Sequence, residues 1–379
     1  MLGCPTSAYS RETSSGAIVL DMKKCIGCRY CQWNCPYDAP KFDDENKIIT
    51  KCDLCSAGLS QGRQPACSSG CPTGALRFGE LSEQNSGNDY LWFPDKKLNP
   101  AIEFTSTRNS APLRFTGGNF SSQRDPDQNM RGKDISGEIS LIIFTFLATI
   151  SVAILLSSVI NGIFPEKMIL IPVIVTTGVV SFFHLGKKSI SWRSVTNLRT
   201  SPLSREIAGF IGYTAASLAA IFTGIPGLLI ASSILGLVFL LLIDSVYVYS
   251  DNNKSVWLHS GQTFISVLLI VSYFSGLILP FLFIAIVKLF LSVYRISFKI
   301  LNSNSFGLRF LRIAFLVVPG TSLIVYHSSP DYHAFLIFLI FLIGELIDRI
   351  LFYIDFNPLN INTFIDIQLN RDRDEKKRG

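Results

Sequence analysis

The sequence predicts a small α+β head of short strands and tight turns, joined to an all-α bundle of about eight transmembrane helices. Three observations carry that reading. All nine cysteines of the 379-residue chain fall within residues 4–71. Long apolar runs dominate 139–353, in a chain that is 48% hydrophobic and only 16% charged. That balance is too apolar for an ordinary soluble domain. Between the two lies 81–136, rich in Ser, Asn, Gly, Asp and Pro. The expected organisation is therefore a head over 1–80, an irregular strap and linker over 81–136, a polytopic membrane anchor over 137–355, and a charged tail over 356–379.

Thiols organise the head. Cys25-x2-Cys28-x2-Cys31-x3-Cys35-Pro36 is followed by Cys52-x2-Cys55-x11-Cys67-x3-Cys71-Pro72. The first run has bacterial ferredoxin spacing, in which the fourth Cys ligates the other of two [4Fe–4S] clusters. A tight loop points three close thiolates at one cubane, and the Cys before Pro reaches the neighbouring one. Applied here, one cluster takes Cys25, Cys28, Cys31 and Cys71, and the other takes Cys35, Cys52, Cys55 and Cys67. Zinc and disulfides are the competing readings. Zinc prefers isolated four-ligand sets, and disulfides do not demand interlocked short spacings ending in Cys-Pro. Cysteine usage therefore speaks for metal chemistry rather than for an oxidising compartment.

Around these ligands the local structure reads as turns and short strands. Ser15-Gly16 turns into a strand over 17–21, and 37–42 and 47–51 give a second turn and strand. Apolar content is low, so metal binding should contribute folding energy. Cys4-Pro5-Thr6-Ser7-Ala8 echoes Cys71-Pro72-Thr73-Gly74-Ala75. Cys4 thus reads as the closing Cys of a further motif, a candidate ligand of an incomplete further cluster, with a free thiol as the alternative. The echo implies that the chain starts inside a longer reading frame.

Cys25-Ile26-Gly27-Cys28-Arg29-Tyr30-Cys31, Cys35-Pro36-Tyr37, Lys51-Cys52-Asp53-Leu54-Cys55 and Cys71-Pro72-Thr73-Gly74-Ala75-Leu76 carry a family resemblance. The head resembles the iron–sulfur electron-transfer subunit of the dimethyl sulfoxide reductase family of molybdoenzymes. Members carry four ferredoxin motifs and four clusters; this chain holds the second half, plus Cys4.

In the tail, eight apolar spans are expected: 139–160, 167–186, 204–224, 227–249, 261–279, 281–300, 307–326 and 331–353. Each is near the ~20 residues that cross a bilayer core. The run from Phe264 to Tyr294 is too long for one span, and Gly276 and Pro280 mark its break. Eight spans put Lys187, Lys188, Arg193, Arg199, Lys254, Arg295, Lys299 and the Arg371–Arg378 cluster on the head's side, with only Lys167 opposite. The positive-inside rule then places the head in the cytoplasm and the tail in a bacterial inner membrane. The net charge of +6 sits mainly beside these segments, and nothing points to nucleic acid.

Glu138-x2-Leu141-x2-Phe144-Thr145, Phe182-Phe183-His184-Leu185-Gly186, Ser201-x-Leu203-Ser204-Arg205-Glu206-Ile207 and Gly344-Glu345-Leu346-Ile347-Asp348-Arg349 are similar to the eight-helix anchor of the same family. That anchor carries no haem and oxidises menaquinol near the head. The resemblance implies that His184 and Glu206 lie at the quinol site. Quinol that loses two electrons also loses two protons; His can accept a hydroxyl proton and Glu can pass it on. Against this stand an interfacial role for His184 and an ion pair of Glu206 with Arg205 or a loop lysine. Glu345 and Arg349, at i and i+4, read as a structural salt bridge. His184, His259, His327 and His333 offer no convincing haem pair, so haem is not expected.

The resemblance implies an electron-transfer and anchor chain of an anaerobic respiratory molybdopterin oxidoreductase. Menaquinol from the membrane pool would feed two [4Fe–4S] clusters, and a separate molybdopterin-containing chain would reduce dimethyl sulfoxide or a similar acceptor. The alternatives are the same parts run in reverse, with formate, hydrogen or a sulfur compound oxidised, and a truncated remnant without function.

Overall fold

The computed structural model describes residues 3–13, 15–35, 37–79, 138–183, 185–250, 259–297, 307–315 and 332–356. Two antiparallel ribbons frame the head. β1 (Tyr9–Arg11) pairs with β2 (Ile18–Leu20) with Ser10 opposite Val19, and β3 (Lys41–Asp43) pairs with β4 (Ile48–Thr50) with Phe42 opposite Ile49. Single turns of helix follow the cysteine runs: α1 (Tyr30–Trp33), α2 (Ser56–Leu59) and α3 (Ala66–Ser69). The head's own core is Cys25, Ile48 and Ile49, packed by Leu20, Cys31 and Phe42. Two-stranded ribbons over so small a core are marginal alone, so the head depends on what binds and abuts it.

The helical region comprises α4 (Ile139–Asn161), α5 (Lys167–Phe183), a 3-10 helix (Lys188–Val195), α6 (Pro202–Thr223), α7 (Pro226–Ser250), α8 (Thr263–Phe274), α9 (Ile278–Ser297), α10 (307–315) and α11 (Tyr332–Asp355). Helix therefore occurs at every position read as a span, though 316–326 lies outside the described residues. Among the described residues three helices are long and apolar enough to cross a membrane: Ile139–Asn161, Pro202–Thr223 and Pro226–Val248. A fourth exists if α5 and the 3-10 helix, bent by 106°, count as one. Within the expected span 167–186 the described helix runs Lys167–Phe183, and the 3-10 helix lies at 106° to it.

The break between α8 and α9 falls just before Pro280. Gly276 takes φ +64°, and the Leu277 and Ser275 amides reach back to Ser272 and Val271 to close the last turn. Pro280 sits in the first turn of α9, where helical N–H groups have no intrahelical acceptor to lose. Ser201 caps α6 by accepting from the Ser204 amide, and Pro202 follows at the first helical position.

Ionisable side chains knit the later helices. Lys288, buried in mid-α9, donates to Glu345 at 2.6 Å and lies 3.1 Å from Asp348. Arg312 of α10 meets the same two carboxylates at 3.0 and 3.1 Å. The expected Glu345–Arg349 bridge is not what forms. Cations from two other helices outcompete the i+4 neighbour, and Arg349 turns instead to Thr145 Oγ1, the Gly261 carbonyl and Asp244. Asp244 in turn accepts the Thr263 and Phe264 amides, capping α8 from a neighbouring helix. His259 pairs with Asp355, which also takes a two-pronged contact from Arg309.

The head is seated on this bundle. Tyr30 belongs to the bundle's core, with Cys28 and Trp33 packed against it. Trp33 stacks near Tyr247 and Phe356, with ring centroids 5.9 and 5.5 Å apart. The Lys187 amide donates to the Ile26 carbonyl at 3.0 Å, and Ser250 donates to Asn34 at 3.3 Å.

Candidate redox site

Left-handed backbone at Gly27 and Arg29 tightens the loop from Cys25 to Cys31 and turns its thiols inward. They face a cavity lined by Cys4, Cys25, Cys28 and Cys31, walled by Pro5, Thr6, Tyr9, Leu20, Ile26 and Ile49. The Ala8 amide donates to Cys4 Sγ at 3.4 Å. Burial pushes the Cys28 thiol well up and the Cys31 thiol to about 11, with Cys4 and Cys25 as like-charged neighbours of both and Cys31 adding to the effect on Cys28. Burial disfavours the charged form of Cys28 and Cys31, and a coordinating metal deprotonates thiols outright. Among the described residues no three Cys, His, Asp or Glu are drawn together for one metal ion. Thiols spread around a shared cavity suit a polynuclear cluster instead, and the donor set fits one.

Cys4 lines this cavity with Cys25, Cys28 and Cys31, and Cys71, expected as their fourth ligand, is not among the lining residues. The antiparallel β1–β2 ribbon brings the start of the chain back beside Cys25, while Cys71 lies in the turn after α3. There, hydrogen bonds from the Leu76 amide and from Thr73 lower its thiol to about 7. Of the other expected ligands, Cys52 and Cys67 are exposed, and Cys35 and Cys55 are half-buried. Cys35 and Cys52 both lie in electrostatic reach of Lys51.

A second cavity, of about 500 Å³, opens between head and bundle. That is the size of an organic-ligand site. Its walls are mostly apolar: Trp33, Leu141, Phe144, Phe182, Leu185, Trp192, Phe210 and Tyr247, with Glu206 as the carboxylate among the described lining residues. Ile26 and Cys28 line this cavity and the thiol cavity alike. A ligand in the larger space is therefore one side chain away from the thiol set. Glu206 is buried, one turn into α6, with Arg349 and Asp244 as its charged neighbours. Arg205 is engaged elsewhere, with the Leu198 carbonyl among its acceptors, and is not Glu206's partner. His184 lies outside the described residues; Phe182 and Leu185 on either side of it line the cavity.

Sequence reasoning missed Trp33, Tyr247, Asp244, Lys288, Arg309, Arg312 and Asp348. The five charged ones were visible as isolated charges inside or beside apolar runs, which in a membrane mark partners or cavities.

Comparison with known proteins decides the nature of the head. Residues 1–81 match the 4Fe-4S dicluster domain family. The N-terminal part is a 4Fe–4S dicluster domain. Over 120 residues the chain is 44% identical to the probable anaerobic dimethyl sulfoxide reductase chain YnfG of Escherichia coli K12, covering 30% of this chain and 58% of that one. Over 80 residues it is 40% identical to the formate dehydrogenase iron-sulfur subunit of Haemophilus influenzae, 21% of this chain and 26% of the relative. A sulfite dehydrogenase subunit of Allochromatium vinosum is 40% identical over 89 residues, 22% and 37% of the two chains. The chain thus covers little more than half the length of the longest-matched of these relatives. No solved structure matches significantly. The dicluster domain is an iron–sulfur, electron-transport module, and the helices that follow it are suited to a membrane.

Proposed function

We propose that this chain is an electron-transfer and anchor subunit that oxidises menaquinol in the cavity between head and bundle. The shared wall at Cys28, with Glu206 in the same cavity, is the observation that supports it. In this reading all eight helices span a bacterial inner membrane, with the head in the cytoplasm. A separate molybdopterin-containing subunit takes the electrons and reduces dimethyl sulfoxide or a similar acceptor. The relatives are named both as a reductase and as dehydrogenases, so quinone reduction by the same parts is the second reading.

The first cluster is assigned to Cys4, Cys25, Cys28 and Cys31. The remaining thiols, Cys35, Cys52, Cys55, Cys67 and Cys71, supply the second. Bound clusters provide one-electron acceptors. The chain's own residues do the rest. Apolar walls from Leu141, Phe144 and Phe210 exclude water and hold the quinol ring. Glu206 and His184 each accept one hydroxyl proton, which matches two protons to two electrons. Haem has no part in the route.

The test uses the full chain in lipid, kept anaerobic. A reduced water-soluble menaquinol analogue is added and cluster reduction is followed by electron paramagnetic resonance. The wild-type chain reduces its clusters. His184→Leu keeps clusters that dithionite still reduces but loses quinol-driven reduction. Undiminished reduction by quinol in that variant removes His184 from the mechanism, and no reduction in the wild type removes the quinol reading. Co-purification of a molybdenum-containing protein tests the partner.

A further inference from the structure

Three consecutive carbonyls at the start of the chain are held by the anchor. Asn197 Nδ2 donates to the Cys4 carbonyl at 2.8 Å, and Ser201 Oγ to the Gly3 carbonyl at 2.8 Å. Thr196 Oγ1 and Ser204 Oγ both reach the Pro5 carbonyl, at 3.3 and 3.4 Å. All four donors come from 196–204, the turn from the 3-10 helix into α6. Ser201 and Ser204 are fully buried. Within the head, the Ser7 amide makes a longer bond of 3.3 Å to the Cys4 carbonyl.

The contrast with the other three thiols is chemical. Cys25, Cys28 and Cys31 share one short loop, shaped by left-handed Gly27 and Arg29 and itself tied to the anchor by the Lys187 amide on the Ile26 carbonyl. Cys4 is far from them in sequence, and the carbonyls that flank it are pinned from outside the head. A ligand thiol must be held in register with its partners for a cluster to assemble, so whatever fixes Cys4 completes the site.

We propose that Asn197, Ser201 and Ser204 are positioning residues for the first cluster. The anchor aims Cys4 into the cavity it shares with Cys25, Cys28 and Cys31, and the metal site is completed across the seam. The inference rests on the reading of Cys4 as a ligand. It carries a consequence for electron entry. Ser201 caps α6 and Ser204 lies in its first turn, and the same helix presents Glu206 to the larger cavity one turn on. The start of one helix thus serves both the ligand and the proton acceptor.

The experiment measures iron, acid-labile sulfide and the paramagnetic resonance of the dithionite-reduced full chain in lipid. Cys4→Ser should lose about four iron atoms per chain and one cluster signal. The double variant Asn197→Ala with Ser201→Ala should lose the same signal or change its line shape and potential. Ser201→Thr, which keeps a hydroxyl, should restore it relative to Ser201→Ala. Ser250→Ala, which removes a head–anchor bond elsewhere, should leave it intact. If Cys4→Ser keeps full iron and an unchanged spectrum, the ligand reading falls and the inference with it. If Cys4→Ser loses the cluster while the double variant keeps iron, spectrum and potential, the ligand reading stands and the positioning role is overturned. Equal damage from Ser250→Ala would also overturn it, since any loosening of the seam would then suffice.

Discussion

Gly27 of the head and Gly186 of the helical region meet backbone to backbone beside the Lys47 carbonyl. A Cβ built on either would collide with that oxygen, and one on Gly27 would also lie 3.0 Å from Gly186 Cα. No side chain fits between the two layers here. The contact seats the cluster loop on the turn after α5 and allows the Ile26–Lys187 hydrogen bond.

Gly186→Ala is therefore expected to lift the loop from its seat. Amide hydrogen exchange should show Lys187 losing protection, while residues inside α6 and α7 keep theirs. An unchanged Lys187 exchange rate would mean that the seam can yield without separating.

Glu206→Gln keeps the shape of the cavity wall and removes a proton acceptor. General acid–base groups contribute roughly 10²–10⁴-fold, so the first-order rate of cluster reduction by saturating menaquinol analogue should fall by about that range. Dithionite-reduced spectra should stay as in the wild type. A rate within about twofold of wild type would assign the proton to another group.

Local, repeated patterns were legible in the sequence. Cys-x2-Cys-x2-Cys spacing announced the cluster loop, the strands at 18–20 and 48–50 followed from β-branched residues, and Gly276 with Pro280 located a helix break. The place of Cys4 beside the cluster loop was not legible, because spacing says which thiols are near in sequence and only the β1–β2 ribbon brings Cys4 back to Cys25. Glu345 shows a related limit. Its i+4 neighbour on the same helix is visible from the sequence, whereas Lys288 and Arg312 arrive from helices whose rotations are set by packing. The echo of Cys4-Pro5 in Cys71-Pro72 was the signal available, and it marked Cys4 as a candidate ligand without saying which thiols it would stand beside.

The Lys288–Glu345–Asp348–Arg312 group balances two cations against two anions in a buried setting. Lys288→Met should destabilise the bundle by about 3–5 kcal/mol, the usual cost of leaving a buried charge uncompensated. Lys288→Met combined with Glu345→Gln restores the balance and should recover most of that loss. Reversible unfolding of the two variants in mixed micelles measures the difference. Additive losses would show that the four groups act independently.

The two thiol sets differ in their shielding from water, and their iron should differ in lability. Cys25 is buried and its three companions line an enclosed cavity, whereas Cys52 and Cys67 are exposed. A hydrophilic ferrous chelator added to the reduced chain in lipid should draw out about half of the iron in a fast phase. The signal lost first should be the one that survives in Cys4→Ser, because that variant retains only the set that includes the exposed Cys52 and Cys67. Burial of Cys28 and Cys31 opposes release from the other set, since freeing either thiolate there leaves a charge with no solvent. A single kinetic phase, or earlier loss of the signal that Cys4→Ser abolishes, would show that access through the larger cavity at Cys28 outweighs the burial of the thiols.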